Sequence, residues 1–208
     1  MPRKVVQGPI RDKERTKQKL MNAVGKILKT EGYLGLKVSK ISAVAGFDKK
    51  LIYTCFGSTD KLIDEYIRSQ DYWRKIDEKQ IEANFSASGK TPAEIALLSQ
   101  FEGLKTNKEL QKIIIWQISE KRSVLRNLFE QREKVFQGLK SSAKELDFSQ
   151  QSEEFKTTLA ILLAGIHYLN LCTVHNSTTF CGINLKSKEG RMKIEKAILD
   201  IADFAHQR

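Results

Sequence analysis

Proline is almost missing from this chain: Pro2, Pro9 and Pro92 are the only three in 208 residues. More than a hundred consecutive residues after Pro92 therefore carry every backbone donor that a helix needs. Strand signals are lacking too, because alternating apolar and polar residues bounded by turn dipeptides are essentially absent. An all-α chain is expected.

Cysteine is equally scarce. Cys55, Cys172 and Cys181 are too few, and odd in number, for a disulfide framework, and no signal-peptide pattern opens the sequence. A reducing, cytoplasmic location is expected. Three histidines leave no HExxH motif and no Ser/His/acid or Cys/His constellation, and no phosphate-binding glycine loop is present, so neither an enzyme nor a cofactor is expected. Cys172, His175 and Cys181 are three metal-ligand types within ten residues, but no second pair completes a tetrahedral site. No metal is expected, although a cysteine- or metal-sensing role stays open as a minor alternative.

Long hydrophobic runs are also few. The most apolar stretch, Leu159 to Cys172, contains Gly165, His167 and Asn170 and falls short of the roughly 20 residues of a membrane span. It reads as a buried helix rather than a membrane anchor.

Basic charge is what the chain has in excess, with 36 Lys and Arg against 25 Asp and Glu. The excess is concentrated at one end. Residues 1–60 hold 13 basic against 5 acidic side chains, whereas residues 61–208 hold 23 against 20. A basic head on a near-neutral body points to a polyanionic partner, nucleic acid or an anionic surface.

Along the chain, residues 1–11 read as a basic, mobile arm. A helix begins near Asp12, with Leu20, Val24, Ile27 and Leu28 on one face, and ends at Glu31-Gly32-Tyr33. Short helices are expected over Val38–Val44 and Asp48–Phe56, then a longer one over Thr59–Phe85 after the Gly57-Ser58 break. Ser86 to Lys90 is a loop, and Thr91-Pro92 restarts a helix with a cap residue and a proline at its first position. Further helices are expected over 91–103, 107–119, 122–145, 152–176 and 189–206, with a loop from Ser177 to Leu185.

The segment from Val38 to Phe56 carries the most specific pattern. Val38, Ile41, Ala45, Phe47, Ile52 and Phe56 can pack two short helices together, and Gly46 supplies the tight turn between them. Asp48 is placed to cap the second helix. Lys49 and Lys50 then occupy its first turn, where the helix dipole disfavours a cation by about 0.3–1 kcal/mol. A compensating anion would account for them, since a recognition helix presents its N-terminal residues to the major groove beside the phosphates. With Ile52 and Phe56 inward, Lys49, Lys50, Leu51, Tyr53 and Thr54 are left for the outer face. A solvated lysine pair beside an ordinary helix cap is the plainer alternative.

This pattern resembles the N-terminal signature of bacterial TetR-type (TetR/AcrR) transcriptional regulators. Ala23, Gly32-Tyr33, Val38, Ile41, Ala45-Gly46, Tyr53, Phe56 and Leu62 fall at matching positions, and the resemblance covers roughly Thr16 to Ile67. Ser42, Lys37, Asp48, Lys50 and Thr59 depart from it. The departure at Thr59, where many members carry a phosphate-contacting lysine, shifts that expectation to Lys61 and the neighbouring helix amides.

The resemblance implies a three-helix helix-turn-helix DNA-binding head at residues 12–58, a connecting helix at 59–85, and a helical effector-binding and dimerisation body at 86–208. Thr16, Lys17, Lys49, Lys50, Leu51, Tyr53, Thr54 and Lys61 would meet a double-stranded DNA operator. The body would bind an unidentified small-molecule effector, with Phe101, Trp116, Phe129, Phe136, His167 and Tyr168 as candidate pocket residues. A homodimer would use Leu159, Leu163, Ile166, Ile194, Ile198 and Ile201. The function implied is a sequence-specific regulator, a repressor released from a palindromic operator by its ligand. A basic helical adaptor for protein or membrane is the competing class.

Overall fold

The structure is a computed structural model that describes residues 9–70, 90–138, 151–175 and 177–206; the side chains of 9–12, 92, 134–138 and 175 are outside the description. The arm at residues 1–8, the far part of the expected 59–85 helix, the 86–89 part of the expected loop and the end of the expected 122–145 helix lie outside the described residues. What is described is predominantly helical, so the protein is all-α. It divides into two compact units, Met1–Asp71 with Lys112–Leu128, and Tyr72–Gln111 with Phe129–Arg208.

In the first unit, α1 (Pro9–Glu31) packs on α2 (Val38–Ala45), α3 (Lys49–Phe56) and α4 (Thr59–Ser69). Leu20, Ala23, Val24, Ile27 and Leu28 of α1 are buried, as are Ile41 of α2 and Ile52 and Phe56 of α3. On α4 the three-and-four spacing of Leu62, Ile63, Tyr66 and Ile67 buries one face. Each such side chain contributes about 1.5–3 kcal/mol on leaving water. A 3-10 turn (Tyr33–Gly35), not anticipated from sequence, follows Gly32, whose φ of 75° suits a glycine. The unit also holds Lys112–Ser119 of α6 (Lys108–Ser119) and Ser123–Leu128 of α7 (Ser123–Gly138). Ile113, Ile114, Trp116, Val124, Leu125 and Leu128 are buried there.

The second unit contains α5 (Pro92–Thr106), α8 (Glu153–His175) and α9 (Lys188–His206), which pack pairwise on one another. Thr91 and Glu94 form a full capping box at the start of α5: the Glu94 amide donates to Thr91 Oγ1 at 3.3 Å and the Thr91 amide to Glu94 Oε2 at 2.6 Å. The core joins Leu97 and Phe101 of α5, Phe155, Leu159 and Ile166 of α8, and Ile198, Ala202 and Ala205 of α9.

Three expectations are corrected here. The helix expected over 59–85 ends at Ser69, because Gln70 takes an extended backbone at φ −90° and ψ 124° that stops the helical turn. The Ser177–Leu185 loop contains a short antiparallel hairpin, β1 (Thr179–Phe180) and β2 (Ile183–Asn184), paired Thr179 with Asn184 and Phe180 with Ile183. Cys181 at φ 49° and Gly182 at φ 77° form its two-residue turn, the combination that matches strand twist. The apolar run around Leu159–Cys172 is not a buried helix. It lies within Glu153–Val174, which is long and apolar enough to cross a membrane, and only 17% of its most apolar 18-residue window is buried. Only Phe155, Leu159, Ile166 and Asn170 of α8 are turned fully inward, because α5 and α9 cover one side of it.

Candidate nucleic-acid interface

The site is built on three residues between two short helices. Gly46 ends α2 in the left-handed conformation at φ 70° and ψ 34°, and its amide and that of Phe47 donate back to Ala43 and Ser42 carbonyls. Asp48 then starts α3: the Lys50 amide donates to its Oδ1 at 2.7 Å. Lys37 precedes α2 with no side-chain cap, and Ser42 donates instead to the Val38 carbonyl at 2.9 Å. The Lys19 ammonium stands 5.5 Å from the centre of the Phe47 ring, which ties the turn to α1.

Burial of Ile52 and Phe56 decides which way α3 faces. Lys49, Lys50 and Thr54 are exposed, Tyr53 is 52% exposed and Leu51 is half-buried. Neither Lys49 nor Lys50 forms an ion pair with a described residue, so two exposed cations stand at the positive end of a helix with the Asp48 cap beside them. Thr54 donates its hydroxyl to the Lys50 carbonyl at 2.9 Å, which keeps its oxygen available as an acceptor.

The remaining candidates are less open. The Lys17 ammonium lies 5.6 Å from the Phe56 ring centre and 4.0 Å from Glu65 Oε1, so part of its charge is answered within the protein. Thr16 is half-buried. Lys61 is exposed, and its amide donates to Ser58 Oγ at 3.1 Å, which occupies one of the first-turn amides expected to reach phosphate.

A further set of contacts in the same unit was not anticipated. Arg122, just ahead of α7, donates from Nε to Asp64 Oδ1 at 2.9 Å and from Nη2 to the same oxygen at 2.5 Å. It also reaches Asp60, with Nη1 at 3.2 Å from Oδ1 and Nη2 at 3.2 Å from the carbonyl oxygen. Its guanidinium sits 5.2 Å from the Trp116 ring, which stacks on Tyr33 at 5.3 Å and 6°. No local motif signals a contact between residues about 60 positions apart, which is why sequence reading missed it.

The pocket candidates are divided between the two units. Trp116 belongs to the first unit, while Phe101, Phe129, His167 and Tyr168 belong to the second. Phe101 is buried in the core under Arg191, and Phe129 is buried beside the Arg132 guanidinium at 5.0 Å. Tyr168 is 57% exposed and meets the Phe180 ring edge-on. The Phe136 side chain lies outside the described residues. His167 is half-buried, and burial, helped by the charge of Arg132, draws its pKa down to about 4.

The dimer candidates separate in a similar way. Leu159, Ile166 and Ile198 are buried in the core of their own chain, Leu163 and Ile194 pack partly against it, and only Ile201 is exposed. The first three are therefore core residues, because α5 covers the faces that carry them. Among the described residues no group of three His, Cys, Asp or Glu is arranged to hold a metal ion; the His175 side chain is outside the description.

Compared with known proteins, this all-α chain matches no protein-family model and no curated sequence.

Proposed function

We propose that the protein is a sequence-specific DNA-binding transcriptional regulator whose head, residues 12–58, is a helix-turn-helix of the TetR type with α3 as its recognition helix. The observation that carries this reading is the outer face of α3, where Lys49, Lys50, Tyr53 and Thr54 stand exposed on a capped helix held by Ile52 and Phe56. A helix N-terminus with exposed lysines suits a phosphate-lined groove, and lysine and threonine can bond to base edges. Thr16, Lys17 and Lys61 contact the backbone in this reading, and Leu51 meets a thymine methyl.

The regulator acts as a homodimer on a palindromic operator. Apolar stripes outside the core support this: Ala160, Ile161, Ala164 and Tyr168 on α8, and Ala197, Ile201 and Phe204 on α9, are all exposed. A second copy covering them would supply the two-fold symmetry that a palindromic operator mirrors. A small-molecule effector releases the repressor by preferring the state in which the two heads no longer match the DNA.

A gel shift with duplex DNA flanking the protein's own coding region, repeated over a salt series, tests the reading. Binding that competes with unrelated duplex supports it. Equal affinity for all duplexes, or none, sinks it. The length and exposure of α8 favour a second reading, a basic helical adaptor at a membrane. Co-sedimentation with anionic phospholipid vesicles without DNA binding would establish that reading instead.

A further inference from the structure

The Asp60–Asp64–Arg122 contact has an electrostatic oddity. Asp60 and Asp64 sit four apart on α4, on the same turn as Lys61, and two carboxylates there oppose any polyanion. Their guanidinium partner comes from between α6 and α7. It spans both carboxylates and one backbone carbonyl, so it fixes the first turn of α4 in rotation and in rise together. Asp64 and Arg122 are each about one-fifth exposed, whereas Asp60 is 79% exposed, which makes Asp64 the stronger anchor. Trp116, in contact with Arg122 and stacked on Tyr33, extends the same tether to the turn that follows α1.

Only Gly57 and Ser58 separate this turn from the end of α3. Gly57 takes φ 81°, a conformation that a side chain would strain, so the link between α3 and α4 is short and geometrically defined. Whatever sets the first turn of α4 also sets Lys61 and the C-terminal end of α3.

We infer that Arg122 is a positioning residue for the DNA-binding head: through Asp64 and Asp60 it holds α4, and with it Lys61 and α3, in the orientation that meets DNA. This rests on the DNA-binding reading above. It assigns a role in affinity to a residue that need not touch DNA.

Asp64→Asn separates positioning from simple charge. Removing a negative charge from the head should tighten DNA binding if electrostatics alone acts. Loss of the tether should weaken it. The measurements are affinity of the full-length protein for the duplex flanking its coding region, across a salt series, and amide hydrogen exchange of residues 59–64 in the free protein.

Asp64→Asn is expected to lower affinity about tenfold with the salt slope unchanged, and to speed exchange in 59–64. Asp64→Glu is expected to stay within about threefold of the parent, and Arg122→Lys, which keeps the charge but cannot span both carboxylates, to fall between. Because Arg122→Lys preserves the ion pair to Asp64, it keeps the test open should Asp64→Asn fail to fold. Tighter or unchanged binding by Asp64→Asn overturns the inference, and so does faster exchange with unchanged affinity. If the parent protein binds no duplex while exchange in 59–64 still speeds, the DNA reading falls and the hold of Arg122 on α4 stands.

Discussion

The guanidinium of Arg191 lies 3.9 Å from the centre of the Phe101 ring, in the middle of the second unit. Each of its nitrogens donates: Nε and Nη2 to Glu102 Oε1 at 3.0 and 2.7 Å, Nη1 to Asn170 Oδ1 at 3.3 Å, and Nη2 also to the Phe101 carbonyl at 3.1 Å. One buried cation thus joins α9 to α5 and α8.

Arg191→Ala should therefore destabilise the protein by about 3–5 kcal/mol, because Asn170 and the Phe101 carbonyl lose partners where water does not reach. Glu102 is half exposed, and Glu102→Gln should cost no more than about 1 kcal/mol. Urea unfolding of both variants checks the contrast. Equal losses would mean that the ion pair, rather than the buried hydrogen bonds, does the holding.

Gly190 offers a steric test of the hairpin. A Cβ there would fall 1.9 Å from the Asn184 carbonyl oxygen, a backbone atom that cannot turn aside. Asn184 is itself fixed, since its Oδ1 accepts the amides of Lys186 and Ser187. Gly190→Ala should lower stability by roughly 1–3 kcal/mol, the range for overpacking, and a thermal melt reads it. A melt superimposable on the parent's would show that β2 moves freely against α9.

Much of this fold was legible because it is written locally. Scarce proline and the three-and-four spacing of Leu20, Val24, Ile27 and Leu28 give α1, and Gly46 with Asp48 give the turn between α2 and α3. Thr91-Pro92 marks the start of α5 for the same reason: a cap needs only its own helix. The hairpin was missed because its turn places Cys181, an uncommon left-handed residue, ahead of Gly182. Which face of an apolar helix turns inward depends on neighbours distant in sequence. That is why Leu159, Ile166 and Ile198 read as interface residues and lie in the core instead, and why Arg122 gave no sign of its partners.

His167 should make stability depend on pH. An ordinary histidine titrates near 6.5, and this one titrates near 4 when folded, because burial and then the Arg132 charge disfavour its cation. The unfolded chain binds a proton first as pH falls, so the neutral imidazole's contribution is complete above about 6.5 and drains away down to about 4. The loss is at most about 3 kcal/mol over that window. His167→Gln should remove that part of the slope in urea unfolding at pH 7, 5 and 4. A slope identical to the parent's would assign the acid sensitivity to carboxylates.

The proposed homodimer predicts different behaviour for two nearby residues on α8. Ile161 is 68% exposed and Leu159 is buried. Ile161→Glu should leave the fold of a single chain intact while sedimentation shows a shift from dimer to monomer at micromolar concentration. Leu159→Ala should cost about 2–5 kcal/mol of stability, whatever the assembly. If the parent sediments as a monomer, the exposed stripe of α8 has another partner.

The last prediction concerns the first turn of α3. Lys49 and Lys50 cost the isolated helix a little, and DNA phosphate would return that cost. Each lysine that neutralises a phosphate releases a condensed counterion, so Lys49→Ala should weaken binding and reduce the slope of log affinity against log salt by about one. If Lys49 instead reads a base edge, its loss will relax discrimination between operator and unrelated duplex by roughly 1–3 kcal/mol. Measuring both duplexes across the salt series separates the two roles, because a phosphate contact is lost equally from each. An affinity unchanged on either duplex at every salt concentration would remove Lys49 from the interface and leave the exposed face of α3 without its first cation.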